Sequence, residues 1–123
     1  VLWPLYPPVT ISGGEGEPFS GEATFQPEPE HEGAPGWVQG GLSATVLDFV
    51  TAKIAKAALD SRVATGTLDL RYRQPVLLDE GPYTVRGTAA IPRGRTVRVH
   101  AEIIDVGGHT RVEATALFVA VER

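Results

Sequence analysis

Cysteine is absent from the 123-residue chain. That excludes disulfides, thiolate metal sites and a cysteine nucleophile. The absence fits a reducing compartment, and a cytoplasmic protein is the expectation. No run approaches the roughly 20 apolar residues of a membrane-spanning helix. The opening Val1–Pro8 is short and proline-broken, unlike a signal peptide. Positive charge is not in excess: 11 basic residues face 15 acidic ones, so no nucleic-acid partner is expected. The three histidines have no spacing that suggests a shared metal, and none is expected.

What is present fits one globular domain. Apolar residues make up 42% and charged residues 21%, enough for one core and too little for two. The 14 glycines and 10 prolines cluster in two places. Residues 1–18 read as an extended arm, and Pro27–Gly41 as a second irregular stretch; residues 19–123 form the domain. Arg86, Arg93, Arg95, Arg98 and Arg111 concentrate toward the C-terminus, which would suit a local anion site.

Between the irregular stretches, Ser20–Gln26 alternates as a short strand. From Gly41 to Asp60 no glycine or proline interrupts the chain. Leu42, Val46, Phe49, Val50, Ile54 and Ala57 form one stripe at helical spacing, with Lys53 a misfit inside it. The spacing predicts one long helix of about five turns. Its other face carries Ala44, Thr45, Thr51, Ala52 and Ala55 around a single carboxylate, Asp48. Small residues there suit a helix–helix interface or the wall of a narrow tunnel. Four alternating segments follow, over 64–73, 82–91, 95–105 and 110–121. In the first, Leu68, Leu70 and Tyr72 share one face, while Thr65, Thr67, Asp69 and Arg71 share the other. Gly107-Gly108 marks a tight hairpin. One helix against about five antiparallel strands is an α+β layer architecture.

Glu32-Gly-Ala-Pro-Gly-Trp-Val-Gln-Gly-Gly-Leu-Ser-Ala-Thr-Val-Leu-Asp48 resembles the signature of hotdog-fold acyl-CoA thioesterases. The nearest groups are the phenylacetate-pathway and thioesterase-superfamily-4-like ones. Tyr72-Arg-Gln-Pro75, Pro92-Arg-Gly-Arg95 and Asp105-Val-Gly-Gly108 resemble the family's strand end, Gly-Arg turn and closing hairpin, so the similarity covers residues 20–121. It implies a helix wrapped by a curved antiparallel sheet, and a homodimer or dimer of dimers with composite active sites. The substrate would be an acyl thioester of coenzyme A or of an acyl carrier protein, with no cofactor beyond the coenzyme A of the substrate.

The resemblance also implies roles. Gly40 matches the backbone N–H that polarises the thioester carbonyl at a helix N-terminus. Asp48, eight residues on, matches the nucleophile or general base. Thr65 matches a hydroxyl that helps place the attacking water, with the partner chain as its expected source. Gln39 stands where the family usually has histidine; it can hydrogen-bond but cannot titrate. Phe49 stands where the family often has glutamate. Gly41, His31, Trp37, Phe49, Arg93 and Arg95 are candidate substrate contacts. For His31 the alternative is an exposed loop residue. Trp37 is a tunnel lip or a packed aromatic. Arg93 and Arg95 either contact the nucleotide phosphates of coenzyme A or are solvated turn charges. Two further functions share the fold: a non-catalytic acyl-thioester or hydrophobic-ligand binding protein, and a dehydratase, which normally uses a histidine with a carboxylate; position 39 lacks one, which leaves His31 for that role.

Overall fold

The computed structural model describes residues 8–121. It contains one helix, α1 (Gly40–Leu59), and six strands: β1 (Thr10–Ser12), β2 (Ser20–Phe25), β3 (Val63–Tyr72), β4 (Tyr83–Ala89), β5 (Thr96–Ile104) and β6 (Thr110–Ala120). All strand pairs are antiparallel, in the order β1-β2-β4-β5-β6-β3, and the curved sheet wraps α1. This is the α+β hotdog architecture, with six strands in place of about five. The additional one is β1, from the stretch read as an extended arm. Its three residues pair with Glu22, Gly21 and Ser20 of β2. The first seven residues of that arm lie outside the described residues.

Alternation along β4, β5 and β6 translates directly into burial. Val85, Val97, Val99, Ala101, Ile103, Val112, Ala114, Ala116 and Phe118 all point at the helix and are buried. The intervening positions face outward. Strand β3 is different: it is an edge of the sheet, opposite to the short edge strand β1, and none of its residues is fully buried.

The helix is rotated by about a quarter turn from the predicted stripe. Its buried residues are Ser43, Val46, Leu47, Val50, Thr51, Ile54 and Ala55. Leu42, Phe49 and Ala57 sit half-buried at the margin. Thr51 and Ala55, assigned to the second face, are in the core. The reason is local. The Thr51 hydroxyl donates to the Leu47 carbonyl at 2.7 Å and to that of Asp48 at 3.1 Å, so it can be buried without an unpaired polar atom. Lys53 is exposed, with its ammonium 5.2 Å from the centre of the Phe49 ring, and so never enters the core.

Two glycines let α1 approach the sheet. Gly21 and Gly87 are register partners on β2 and β4, and Ile54 lies over both. A Cβ at Gly87 would stand 2.9 Å from the Ala101 Cβ, 2.9 Å from the His100 carbonyl oxygen and 3.0 Å from Ile54 Cδ1. Gly87→Val, though a better strand former by propensity, should lower unfolding free energy by about 1–3 kcal/mol through overpacking. Urea denaturation followed by circular dichroism checks this; unchanged stability would refute it.

Among the described residues no helix is long and apolar enough to cross a membrane.

Candidate active site

The site is built from the loop entering α1, the outer face of α1 and the β3 edge of the sheet. The loop is firmly held. Val38 donates its N–H to the Val76 carbonyl at 2.7 Å, and Gln39 to that of His31 at 2.8 Å. His31 is buried rather than an exposed loop residue, with 3% of its surface accessible. Its Nδ1 accepts from the Glu28 N–H at 2.8 Å, and its ring packs near Phe25. His31 therefore supports the loop from beneath.

The N-terminus of α1 is open. Gln39 is the N-cap residue, and its exposed side chain makes no capping hydrogen bond. Leu42 and Ser43 return their N–H groups to the Gln39 carbonyl, at 3.0 and 3.3 Å. Among the described residues the Gly40 and Gly41 N–H groups have no protein acceptor. Such unsatisfied donors carry the positive end of the helix dipole. The Tyr72 hydroxyl donates to the Gly40 carbonyl at 2.7 Å, tying β3 to the first turn of α1. Desolvation raises the Tyr72 pKa above 10.0, which keeps the hydroxyl a donor at neutral pH. Trp37, Gly40, Ser43, Tyr72, Val76 and Val112 are among the residues that line a cavity of about 330 Å³ at this end of the helix. Trp37, 48% exposed, forms part of its rim.

A second network fixes the wall of that cavity. Asp105 accepts from the N–H groups of His109 and Gly107 and from Arg111 Nε, at 2.8, 3.0 and 2.8 Å. Arg111 in turn donates to the Pro75 carbonyl at 2.6 Å, anchoring the loop whose Val76 carbonyl holds Val38. The His109 N–H, then the Arg111 guanidinium, hold the Asp105 carboxyl down at about 2, against its ordinary 3.8. A depressed folded pKa means stability that is present above 3.8 and is lost as pH falls toward 2. Melting temperature should therefore drop across this interval. Asp105→Asn should flatten that drop while lowering stability at neutral pH. Thermal melts across the pH series check both; an unchanged acid profile would refute the assignment.

Asp48 lies further along α1, half-buried on its outer side. Thr65 Oγ1 donates to Asp48 Oδ1 at 3.0 Å, within one chain. A β-bulge makes this contact. Thr65 pairs with Phe118 while Thr67 pairs with Leu117, leaving Gly66 as the extra residue. The bulge flips the alternation. Thr65 thus joins the helix-facing side with Leu68 and Leu70, and leaves the outward face shared by Thr67, Asp69 and Arg71.

The remaining candidates are dispersed. Phe49 is half-buried beside Lys53. Arg95 donates to the Ala120 carbonyl at 2.7 Å. Arg93 lines a separate groove with Arg98 and Thr96. Arg86 faces Glu22 at 3.4 Å, so the C-terminal arginines do not converge on one anion site. Tyr72, Asp105 and Arg111 are the positioning residues missed from sequence. The Tyr72-x-x-Pro75 and Asp105–Gly108 motifs were the signals that marked them.

No family model matches the sequence, and no curated protein matches it. Solved structures do. A thioesterase superfamily protein is 32% identical with a TM-score of 0.77, over 92% of this chain and 56% of that one, so this chain spans little more than half its length. A thioesterase superfamily protein from Shewanella loihica is 25% identical with a TM-score of 0.69, over 93% and 91% of the two chains. A candidate thioesterase from Lactococcus lactis reaches a TM-score of 0.86 at 13% identity, over 98% and 95%. The chain has the hotdog fold of the thioesterase superfamily.

Proposed function

We propose that the protein hydrolyses an acyl thioester of coenzyme A or of an acyl carrier protein, giving a carboxylic acid and a free thiol. The observation that carries this reading is the Thr65–Asp48 hydrogen bond. It fixes one oxygen of the only carboxylate within α1 and leaves the other free to take a proton from water. That water attacks the thioester carbon, and the oxyanion forms against the Gly40 N–H. The C–S bond then breaks. A thiolate with a pKa of roughly 8.5 leaves without strong acid assistance. No cofactor is needed, because the leaving group carries its own stability.

One chain does not suffice for this chemistry. Gly40 and Asp48 are eight residues apart on one helix, about 12 Å along its axis, too far to act on one carbonyl carbon. The reading therefore pairs Gly40 of one copy with Asp48 of a second. The free edge strand β3 supports such pairing, since an unpaired edge of ten residues is a template for another strand. The acyl chain would enter through the cavity beside Trp37 and Tyr72, with the Gln39 amide available to the thioester oxygen. A cytoplasmic location fits a coenzyme A substrate.

The test is thiol release from a panel of acyl-CoAs and an acylated carrier protein, read with a thiol-reactive dye. Release by the wild type and its loss in Asp48→Ala are expected. Equal release by both would remove Asp48 from catalysis. Calorimetric binding without release would indicate a ligand-binding module instead. Label from ¹⁸O water found in Asp48 after a single turnover would make it a nucleophile rather than a base.

A further inference from the structure

On the outer face of the sheet, away from α1, one row of paired residues crosses five strands. It runs Glu22, Arg86, Glu102, Glu113, Arg71. Charge alternates along the row except at Glu102–Glu113, where two carboxylates stand directly opposite. Like charges in that position are destabilising. His100, two residues before Glu102 and therefore on the same face, leans into this step. Its Nε2 is 3.4 Å from Glu102 Oε2 and 3.6 Å from Glu113 Oε1.

We propose that His100, Glu102 and Glu113 form a surface binding site for a divalent transition-metal cation of the zinc class. The three ligand atoms lie within 4.8 Å of one another. Ligands about 2.0–2.1 Å from a tetrahedral ion stand about 3.3 Å apart, so both histidine–glutamate separations match with little movement. A neutral imidazole and two carboxylates supply a charge of −2 opposite a dication.

The orientation of each ligand is set by another residue on its far side. The His100 Nδ1 is 3.2 Å from Thr115 Oγ1. The Thr110 hydroxyl donates to Glu102 Oε1 at 2.8 Å. Arg73 pairs with Glu113 Oε2. In every case the atom turned inward is the one left over, which is how outer partners prepare a metal site. An imidazole in the set selects zinc, cobalt or nickel over magnesium and calcium. His100 is 48% exposed, which leaves an open entry path and positions for water. The histidine spacing hides this site because Glu113 comes from the neighbouring strand.

The experiment is equilibrium dialysis of the whole chain against micromolar zinc chloride near neutral pH, with bound metal measured by atomic emission. One zinc per chain is expected in the wild type and in His109→Gln, whose histidine lies on the hairpin turn. His100→Gln and Glu102→Gln should each weaken binding roughly tenfold or more. Circular dichroism and a cooperative metal-free thermal transition establish that the variants fold. The site is overturned if the wild type retains no zinc, or if both variants bind it as the wild type does. Retention of magnesium as strongly as zinc would overturn the assigned ligand class.

Discussion

Asp48→Asn is expected to lower kcat for thioester hydrolysis by about 10²–10⁴-fold, the range for loss of a general base. The substitution keeps shape and an oxygen that can accept from Thr65, so the only intended change is loss of basicity. Melting temperature should stay close to that of the wild type, because Asp48 is half-buried on the outside of α1 and takes no part in the core. A steady-state comparison by thiol release checks it. The loss should fall on kcat more than on KM, since the carboxylate acts on the water in the transition state. If kcat falls less than about tenfold, far short of that range, the Thr65–Asp48 pair is a structural contact.

Gly40→Pro should be comparably damaging to activity and nearly silent in stability. Gly40 is the first residue of α1, where proline is well accepted because the missing N–H has no helical partner. The preceding Gln39 already has φ −58 and ψ 133, the extended conformation that proline demands of its predecessor. The atoms nearest to a Cβ at Gly40 belong to the Tyr72 ring and hydroxyl, at 3.5–3.7 Å, an ordinary contact. The variant therefore removes one N–H and little else. Loss of one oxyanion donor costs about 10²–10³ in kcat. If sites are shared between copies, the two inactive variants complement. An equal mixture of Asp48→Asn and Gly40→Pro chains, unfolded and refolded together, should regain about a quarter of wild-type activity, from hybrid dimers with one intact site. No recovery above the separate variants would rule out sites shared between copies.

The two variants probe parts of the molecule that differ in how readable they were. The Gly40-Gly41 junction and the start of α1 follow from local chemistry. Glycine and proline punctuate the loop, the long apolar-rich run beyond it has no breaker, and a helix start must leave N–H groups open. The strands were equally readable where both sides of the pattern are decided by one sheet face, as in β5 and β6. The facing of Thr65 was not. A single extra residue, Gly66, shifts the alternation, and nothing in the composition of Ala64–Arg73 shows whether Thr65 or Thr67 takes the inward place. The arc of α1 that becomes core was not readable either. Leu42 and Phe49 are more apolar than Ser43 and Thr51, yet the sheet covers the latter pair, because small side chains let the curved strands close around the helix.

His31 shows the same limit in another form. From sequence it is a polar residue in a glycine-rich loop, and exposure is the ordinary expectation. Burial became affordable only when the Glu28 N–H and the Phe25 ring arrived from either side. Arg111 is comparable: a strand-edge arginine by sequence, it becomes the link between the closing hairpin and the loop that holds the start of α1.

By itself the sequence determined one long helix and a meander of antiparallel strands. It also determined that a cysteine nucleophile, a disulfide and a thiolate metal site are excluded and that Asp48 is the lone carboxylate of the helix. These depend on composition and on short-range periodicity, which act between neighbours along the chain. The tertiary structure alone decided that Thr65 turns toward Asp48, that Tyr72 ties down Gly40, and that His100 meets Glu113 across two strands. Each of these is a meeting between residues distant in sequence. Register, a bulge and the wrap of the sheet set such meetings, and local pattern carries no information about them.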